Sequence, residues 1–157
     1  MTSSPKSSKT TSNMKIRAAR SDDLDAIKAL LAENGLPVSD ITADLLGDFA
    51  VAEDAGGSLV GSVGLELHGP DALVRSLAVA RTARSAGLGS RLLAQVEQVA
   101  RTKSVSDLWL LTMTASEFFG RAGYSVVHRS NAPAALRASH QFAELCAATA
   151  VCMQKKL

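Results

Sequence analysis

The spacing of apolar positions changes along the chain, and each change of period assigns an element. Leu24, Ile27, Leu30 and Leu31 recur at the three-to-four-residue interval of one helix face. Ser21-Asp22-Asp23 offers an N-cap with acids in the first turn, where the helix dipole favours them. Gly35 before Pro37 ends that helix, and Lys15–Ala18 ahead of it reads as a short strand. A second short helix is predicted over Ser39–Leu46, capped by Ser39 or Asp40. Phe49–Glu53 and Ser58–Leu67 flank the Gly56-Gly57 turn as a β-hairpin, and Gly69-Pro70 turns the chain again before the strand Leu73–Val79. A helix over Leu88–Arg101 would bury Leu92, Leu93, Val96 and Val99. Asp107–Met113 is almost continuously apolar, as in a strand covered on both faces. Ala115–Arg121 reads as a short helix, Gly123–His128 as a strand, and Ala150–Gln154 as the last strand after an alanine-rich stretch. Residues 1–13 carry no apolar residue after Met1 and are expected to be a disordered tail. Residues 14–157 are then expected to form a single domain.

An antiparallel first half followed by β-α-β-α-β predicts an α/β (mixed α+β) fold. It has a central mixed sheet of about seven strands with helices on both faces. Strands can splay where the pattern turns from antiparallel to parallel, leaving a ligand slot; Leu73–Val79 stands at that point. With 46% hydrophobic and 20% charged residues among 157, the chain has the composition of a globular protein. Its formal charge of +2 is too small for a dedicated nucleic-acid binder, and no apolar run is long enough for a membrane span. Cys146 and Cys152 show no ligand spacing with His68, His128 or His140, so free thiols, no metal and a cytoplasmic location are expected. The expected partner is a small molecule.

The chemistry concentrates between Val79 and Arg91, where an apolar strand passes into an amphipathic helix. Gly87 and Gly89 at the helix start let backbone approach a ligand closely, and free N–H groups there face an anion. Arg81, Arg84 and Arg91 add positive charge. A Walker A loop needs Gly-Lys-Ser/Thr, but Leu88-Gly89-Ser90 has no lysine; the dinucleotide fingerprint needs a third glycine where Leu92 stands. What remains is Arg-x-x-Gly-x-Gly, Arg84 to Gly89, with an ordinary glycine-packed turn as the alternative.

Arg84-Ser85-Ala86-Gly87-Leu88-Gly89, following Ser76-Leu77-Ala78-Val79, resembles motif A of the GNAT N-acetyltransferases, whose loop binds the acetyl-CoA pyrophosphate. Glu117-Phe118-Phe119-Gly120-Arg121-Ala122-Gly123-Tyr124 resembles a later segment of the same family. The element order agrees from about Lys15 to Leu157. The resemblance implies acetyl-CoA as co-substrate, without a metal. It implies that strands four and five, here Leu73–Val79 and Asp107–Met113, splay around the pantetheine arm. Backbone groups of Leu77 and Val79 would hold that arm. Arg84, Ser85, Gly87, Leu88, Gly89 and Ser90 would surround the pyrophosphate. One strand-four amide, that of Leu77, would polarise the thioester carbonyl, a donor worth roughly 3 kcal/mol. Phe119 stands where many relatives carry a tyrosine that protonates the leaving thiolate, so another group, water or unassisted departure must serve. Tyr124 reads as core. Relatives are often dimers, which implies a homodimer.

Arg75 interrupts an apolar strand and shares a face with Leu73 and Leu77 if the strand is regular. A two-residue Gly69-Pro70 connection pairs Glu66 with Leu73, making Glu66 and Arg75 diagonal neighbours roughly 7 Å apart. The pair is either a plain cross-strand ion pair or faces an acceptor. In the second case Glu66 takes the proton of an attacking amine and Arg75 grips an anionic group. Residues 132–142, with Val63–Glu66, Leu73–Val79 and Leu110–Thr114, resemble the branch of the family that acetylates arsinothricin, an arsenic analogue of glutamate related to phosphinothricin. That resemblance implies Arg75 and Arg137 on the anionic ends of the amino acid and a hydroxyl contact from Thr112. The function so implied is acetylation of the α-amine of a small anionic amino-acid toxin, conferring resistance. Attack would be direct, since no activated Cys or Ser nucleophile is apparent. Acetylation of another small amine or amino acid, or CoA sensing without catalysis, stays open.

Overall fold

The computed structural model describes residues 14–84, 87–139 and 150–157; the expected disordered tail, residues 1–13, lies outside them. Among the described residues the strands are β1 (Lys15–Ala18), β2 (Ala50–Glu53), β3 (Leu59–His68), β4 (Asp71–Val79), β5 (Asp107–Thr112), β6 (Ser125–Val127) and β7 (Val151–Lys156). The helices are α1 (Leu24–Glu33), α2 (Leu88–Thr102), α3 (Ser116–Arg121) and α4 (Ala134–Arg137). The strands order as β1-β2-β3-β4-β5-β7-β6. β1, β2 and β3 pair antiparallel, β4 and β5 pair parallel, and β7 is antiparallel to both β5 and β6. This is the mixed seven-stranded sheet the pattern predicts. No helix among the described residues is long and apolar enough to cross a membrane.

Several elements differ from expectation: α4 is a helix where the sequence shows only an alanine-rich stretch, and β6 is shorter, and β7 longer, than the strands expected over Gly123–His128 and Ala150–Gln154. In place of an α-helix over Ser39–Leu46, a 3-10 helix spans Ala43–Asp48. Its turns suffice to bury Leu46. Ser21–Asp23 forms a 3-10 turn whose last residue, Asp23, is the N-cap of α1, as expected, though its side chain makes no capping bond to that helix. Asp23 is buried, accepts the Arg20 N–H at 2.7 Å, and takes the Arg17 guanidinium through both oxygens at 2.8 and 2.9 Å. The Nε of Arg17 donates to Glu53 at 2.7 Å. The Arg17 hydrogen bonds hold the Asp23 carboxyl down at about 2.

The chain divides into two compact units, one of residues up to Gly64 with Ser76–Val96, the other of Leu65–Arg75 with Glu97–Leu157. In the first, Ile27, Leu30 and Leu31 of α1 pack with Ile41, Leu46, Phe49, Val51 and Ala78. Gly61 of β3 lies directly under the start of α2: an added Cβ would sit 2.8 Å from Leu92 Cδ1 and 3.2 Å from Leu88 Cδ2. In the second unit Leu73, Trp109, Ala132, Leu136 and Cys152 form the core. Along α2 the buried apolar residues are Leu88, Leu92, Leu93, Val96 and Ala100, whereas Val99 is half-buried. The four-residue steps 88-92-96-100 keep one face, and position 99 falls off its centre.

Candidate active site

The donor side lies in the first unit. β4 ends at Val79, a turn of 3-10 helix covers Arg81–Ala83, and α2 begins at Leu88. Gly87 has φ +76 and its carbonyl accepts the Arg91 N–H at 3.2 Å, so it is the residue that opens the helix. That conformation favours glycine. The N–H groups of Leu88, Gly89 and Ser90 fall in the first turn of a fifteen-residue helix, where backbone donors have no intrahelical acceptor. Leu88 buries its side chain in the core, so only its backbone is available to a ligand. Ser85 lies outside the described residues. The Arg84 side chain is committed: Nη2 donates to Asn34 Oδ1 at 2.7 Å and Nε to the Val79 carbonyl at 3.2 Å.

β4 is not regular. Ser76, in mid-strand, has φ +58, a left-handed conformation costing an L-residue about 1–2 kcal/mol. Its carbonyl accepts the hydroxyl of Ser62, a fully buried residue of β3, at 2.8 Å. The alternation on which the shared face of Arg75 and Leu77 rested therefore breaks at Ser76. Beyond it Ala78 is buried, while Leu77 and Val79 are half-buried. The ladder with β5 runs Asp71–Asp107, Ala72–Leu108 and Leu73–Trp109, and β4 continues six residues past its last pair.

The acceptor candidates lie in the second unit. Glu66 and Arg75 are brought together: Arg75 Nη1 is 3.6 Å from Glu66 Oε2, with the Arg75 side chain fully buried and that of Glu66 19% exposed. The other carboxylate oxygen of Glu66 lies 3.4 Å from His68 Nε2, a neighbour that nothing in the sequence singles out. The two remaining candidates are engaged locally. Thr112 Oγ1 accepts the Ala115 N–H at 3.0 Å, shaping the turn into α3, and Arg137 Nε donates to the Ala132 carbonyl at 3.0 Å.

Phe119 is buried and meets Phe118 and Tyr124 edge to face at 5.1 and 5.7 Å. Tyr124 is core, as its position suggested. Its hydroxyl donates to the buried Glu97 at 2.8 Å, and Lys155 reaches both Glu97 oxygens at 3.1 Å. Burial and the Glu97 charge raise the Tyr124 phenol far above its ordinary value. Cys152 is buried, which pushes its thiol up and away from a reactive thiolate. Cys146 and His140 lie outside the described residues.

Comparison with known proteins gives a match to the acetyltransferase (GNAT) domain family over residues 46–126. No curated protein matches. Among solved structures, N-acetylglutamate synthase from Neisseria gonorrhoeae, complexed with coenzyme A and N-acetyl-glutamate, superposes with a TM-score of 0.79 at 25% identity. The match covers 92% of this chain but 35% of that one, so the chain spans about a third of the synthase's length. Rv2747 from Mycobacterium tuberculosis, in complex with CoA and NLQ, superposes at 0.78 and 24% identity over 91% of this chain and 99% of that one. A GNAT-family acetyltransferase from Staphylococcus aureus Mu50 gives 0.70 at 16% identity over 92% and 99%.

Proposed function

Because the chain belongs to the acetyltransferase (GNAT) domain family, we propose that it transfers the acetyl group of acetyl-CoA to the α-amine of a small anionic amino acid, arsinothricin or phosphinothricin being the preferred acceptors. The observation that carries the donor half is the passage of β4 through Ser76 and Val79 to the glycine-opened start of α2. There the Gly87-led turn offers its amides to the pyrophosphate, and Leu77 and Val79 offer backbone to the pantetheine arm. The acceptor half is supported by the Glu66–Arg75 pair and by the Neisseria synthase, which is complexed with coenzyme A and the acetylated form of a dicarboxylic amino acid.

In this reading the amine nitrogen attacks the thioester carbonyl carbon directly, and the Leu77 N–H stabilises the oxyanion. Glu66 accepts the proton the nitrogen sheds. The C–S bond breaks as the amide forms, and CoA leaves as a thiolate that takes its proton from water. Phe119 has no proton to give. A desolvated Cys152 thiol is a poor nucleophile, which favours direct attack over an acyl-cysteine. Arg75 and Arg137 hold the anionic groups, and loss of the amine's charge disguises a toxic glutamate mimic.

The test is CoA release with arsinothricin, phosphinothricin and glutamate side by side, against amines lacking an anionic side chain. The three acids should turn over with the toxins at higher kcat/KM. Equal rates with uncharged amines would sink the substrate class, and tight acetyl-CoA binding without release would mark a sensor.

A further inference from the structure

We propose that Asn34 is a positioning residue for the acetyl-CoA loop and acts through Arg84, an assignment that rests on the donor half of the function proposed above. Asn34 follows the last residue of α1, and its backbone N–H donates to the Leu30 and Leu31 carbonyls at 3.2 and 3.1 Å. Gly35 then turns with φ +70, and Leu36 N–H returns to the Leu31 carbonyl at 2.9 Å, closing the helix end. The side chain is pinned as well, because Asn34 Nδ2 donates to the Leu30 carbonyl at 2.9 Å. Leu30 and Leu31 are buried in the core that α1 shares with Phe49 and Val51, so this platform is rigid.

With its nitrogen fixed on the helix, the Asn34 amide has one direction left for its oxygen, and Oδ1 receives Arg84 Nη2 at 2.7 Å. The Nε of the same guanidinium donates to the Val79 carbonyl at 3.2 Å. A chain of side-chain hydrogen bonds thus runs from the packed end of α1 to the last residue of β4, through the first residue of the Arg-x-x-Gly-x-Gly loop. The planar fork of arginine spans two acceptors at fixed separation, which a lysine ammonium cannot do. Arg84 is itself exposed and, left with one acceptor, would recover several rotamers. Asn34 therefore holds in place the backbone from which the loop departs, three residues before Gly87.

The experiment is calorimetric titration of the full chain with CoA, for wild type, Asn34→Ala, Asn34→Asp, Arg84→Ala, Arg84→Lys and the Asn34→Ala/Arg84→Ala double variant. Asn34→Ala should weaken CoA about five- to tenfold, the worth of about one ordinary intramolecular hydrogen bond. Asn34→Asp keeps an acceptor oxygen for Arg84 but loses the Nδ2 donor to Leu30, so it should fall between Asn34→Ala and wild type. Arg84→Lys should match Arg84→Ala, and the double variant should be no weaker than Arg84→Ala alone. An Asn34→Ala chain that binds like wild type, an Asn34→Asp chain no better than it, or effects that multiply in the double variant would each overturn the assignment. A wild-type chain that binds no CoA overturns the proposed function itself, an outcome distinct from wild-type binding that is indifferent to Asn34.

Discussion

Replacing Ser62 by alanine probes the irregularity of β4 with the smallest possible change. The hydroxyl is fully buried and donates to the Ser76 carbonyl at 2.8 Å. Its loss deprives that carbonyl of one donor, at about 1–2 kcal/mol. For a domain of this length each kcal/mol moves the melting temperature by about 2–4 °C, so Ser62→Ala should melt roughly 2–8 °C lower. Ser76 offers the complementary change. Its φ of +58 costs an L-residue about 1–2 kcal/mol, which glycine avoids at the expense of about 0.5–1 kcal/mol of extra unfolded-state entropy. Ser76→Gly should therefore be neutral or stabilising by up to about 1.5 kcal/mol, against the usual penalty for glycine in a strand. Because Leu77 and Val79 follow this kink, Ser62→Ala should also raise the acetyl-CoA KM severalfold, and adding Ser76→Gly should restore it by holding the left-handed conformation without help. Thermal melts and initial-rate kinetics on the four chains test both parts. A Ser62→Ala chain melting within about 1 °C of wild type, or a Ser76→Gly chain losing more than about 4 °C, would refute the reasoning.

Three further outcomes are expected. Tyr124→Phe should cost about 1–2 kcal/mol in denaturant unfolding while leaving kcat within about twofold, since the raised phenol is a core donor to Glu97 and a poor acid; a hundredfold fall in kcat would make it the missing acid. Glu66→Gln should lower kcat by about a hundredfold or more and leave CoA affinity unchanged; a loss below about threefold rules Glu66 out as the base. Asp23 bears on acid stability. Its carboxyl is held at about 2 against an ordinary 3.8, so the folded state gains roughly 2 kcal/mol that is fully present above pH 3.8 and lost as pH falls through 2. The gap in unfolding free energy between wild type and Asp23→Asn should hold steady from neutral pH to about 4 and shrink toward pH 2; a constant gap across that range would contradict the linkage.

What the sequence disclosed follows the range of each interaction. α1, α2 and the β-strands announce themselves because burial of one face imposes a period on nearby residues. The Glu66–Arg75 juxtaposition was legible because a two-residue turn fixes which positions face each other, and the side chains do meet at 3.6 Å. One residue further the same inference fails, because Ser76 adopts a left-handed conformation without the glycine that would advertise it. The 3-10 helices escaped notice for a related reason, as three to six residues are too few to show a period. Asn34 and Arg84 stand 50 residues apart and Glu97 and Lys155 58 apart, so neither partner reveals the other. Glu97 even sits among the buried positions of α2, where the distant Lys155 and Tyr124 make a carboxylate tolerable.

The kink at Ser76 gives a reason for one strand to carry two kinds of residue. In a regular strand Arg75, Leu77 and Val79 would point to one face. A buried guanidinium would then stand in line with the residues expected to seat the pantetheine arm. A left-handed residue between positions 75 and 77 removes that constraint. Arg75, on one side of it, turns its buried side chain to Glu66, while Ala78, on the other, takes the position in the core with Val51 and Leu46. The strain at Ser76 is then the cost of letting β4 turn Arg75 to Glu66 before the kink and Ala78 to the core after it. The Ser62 hydroxyl donating to the Ser76 carbonyl is one contact that supports this conformation.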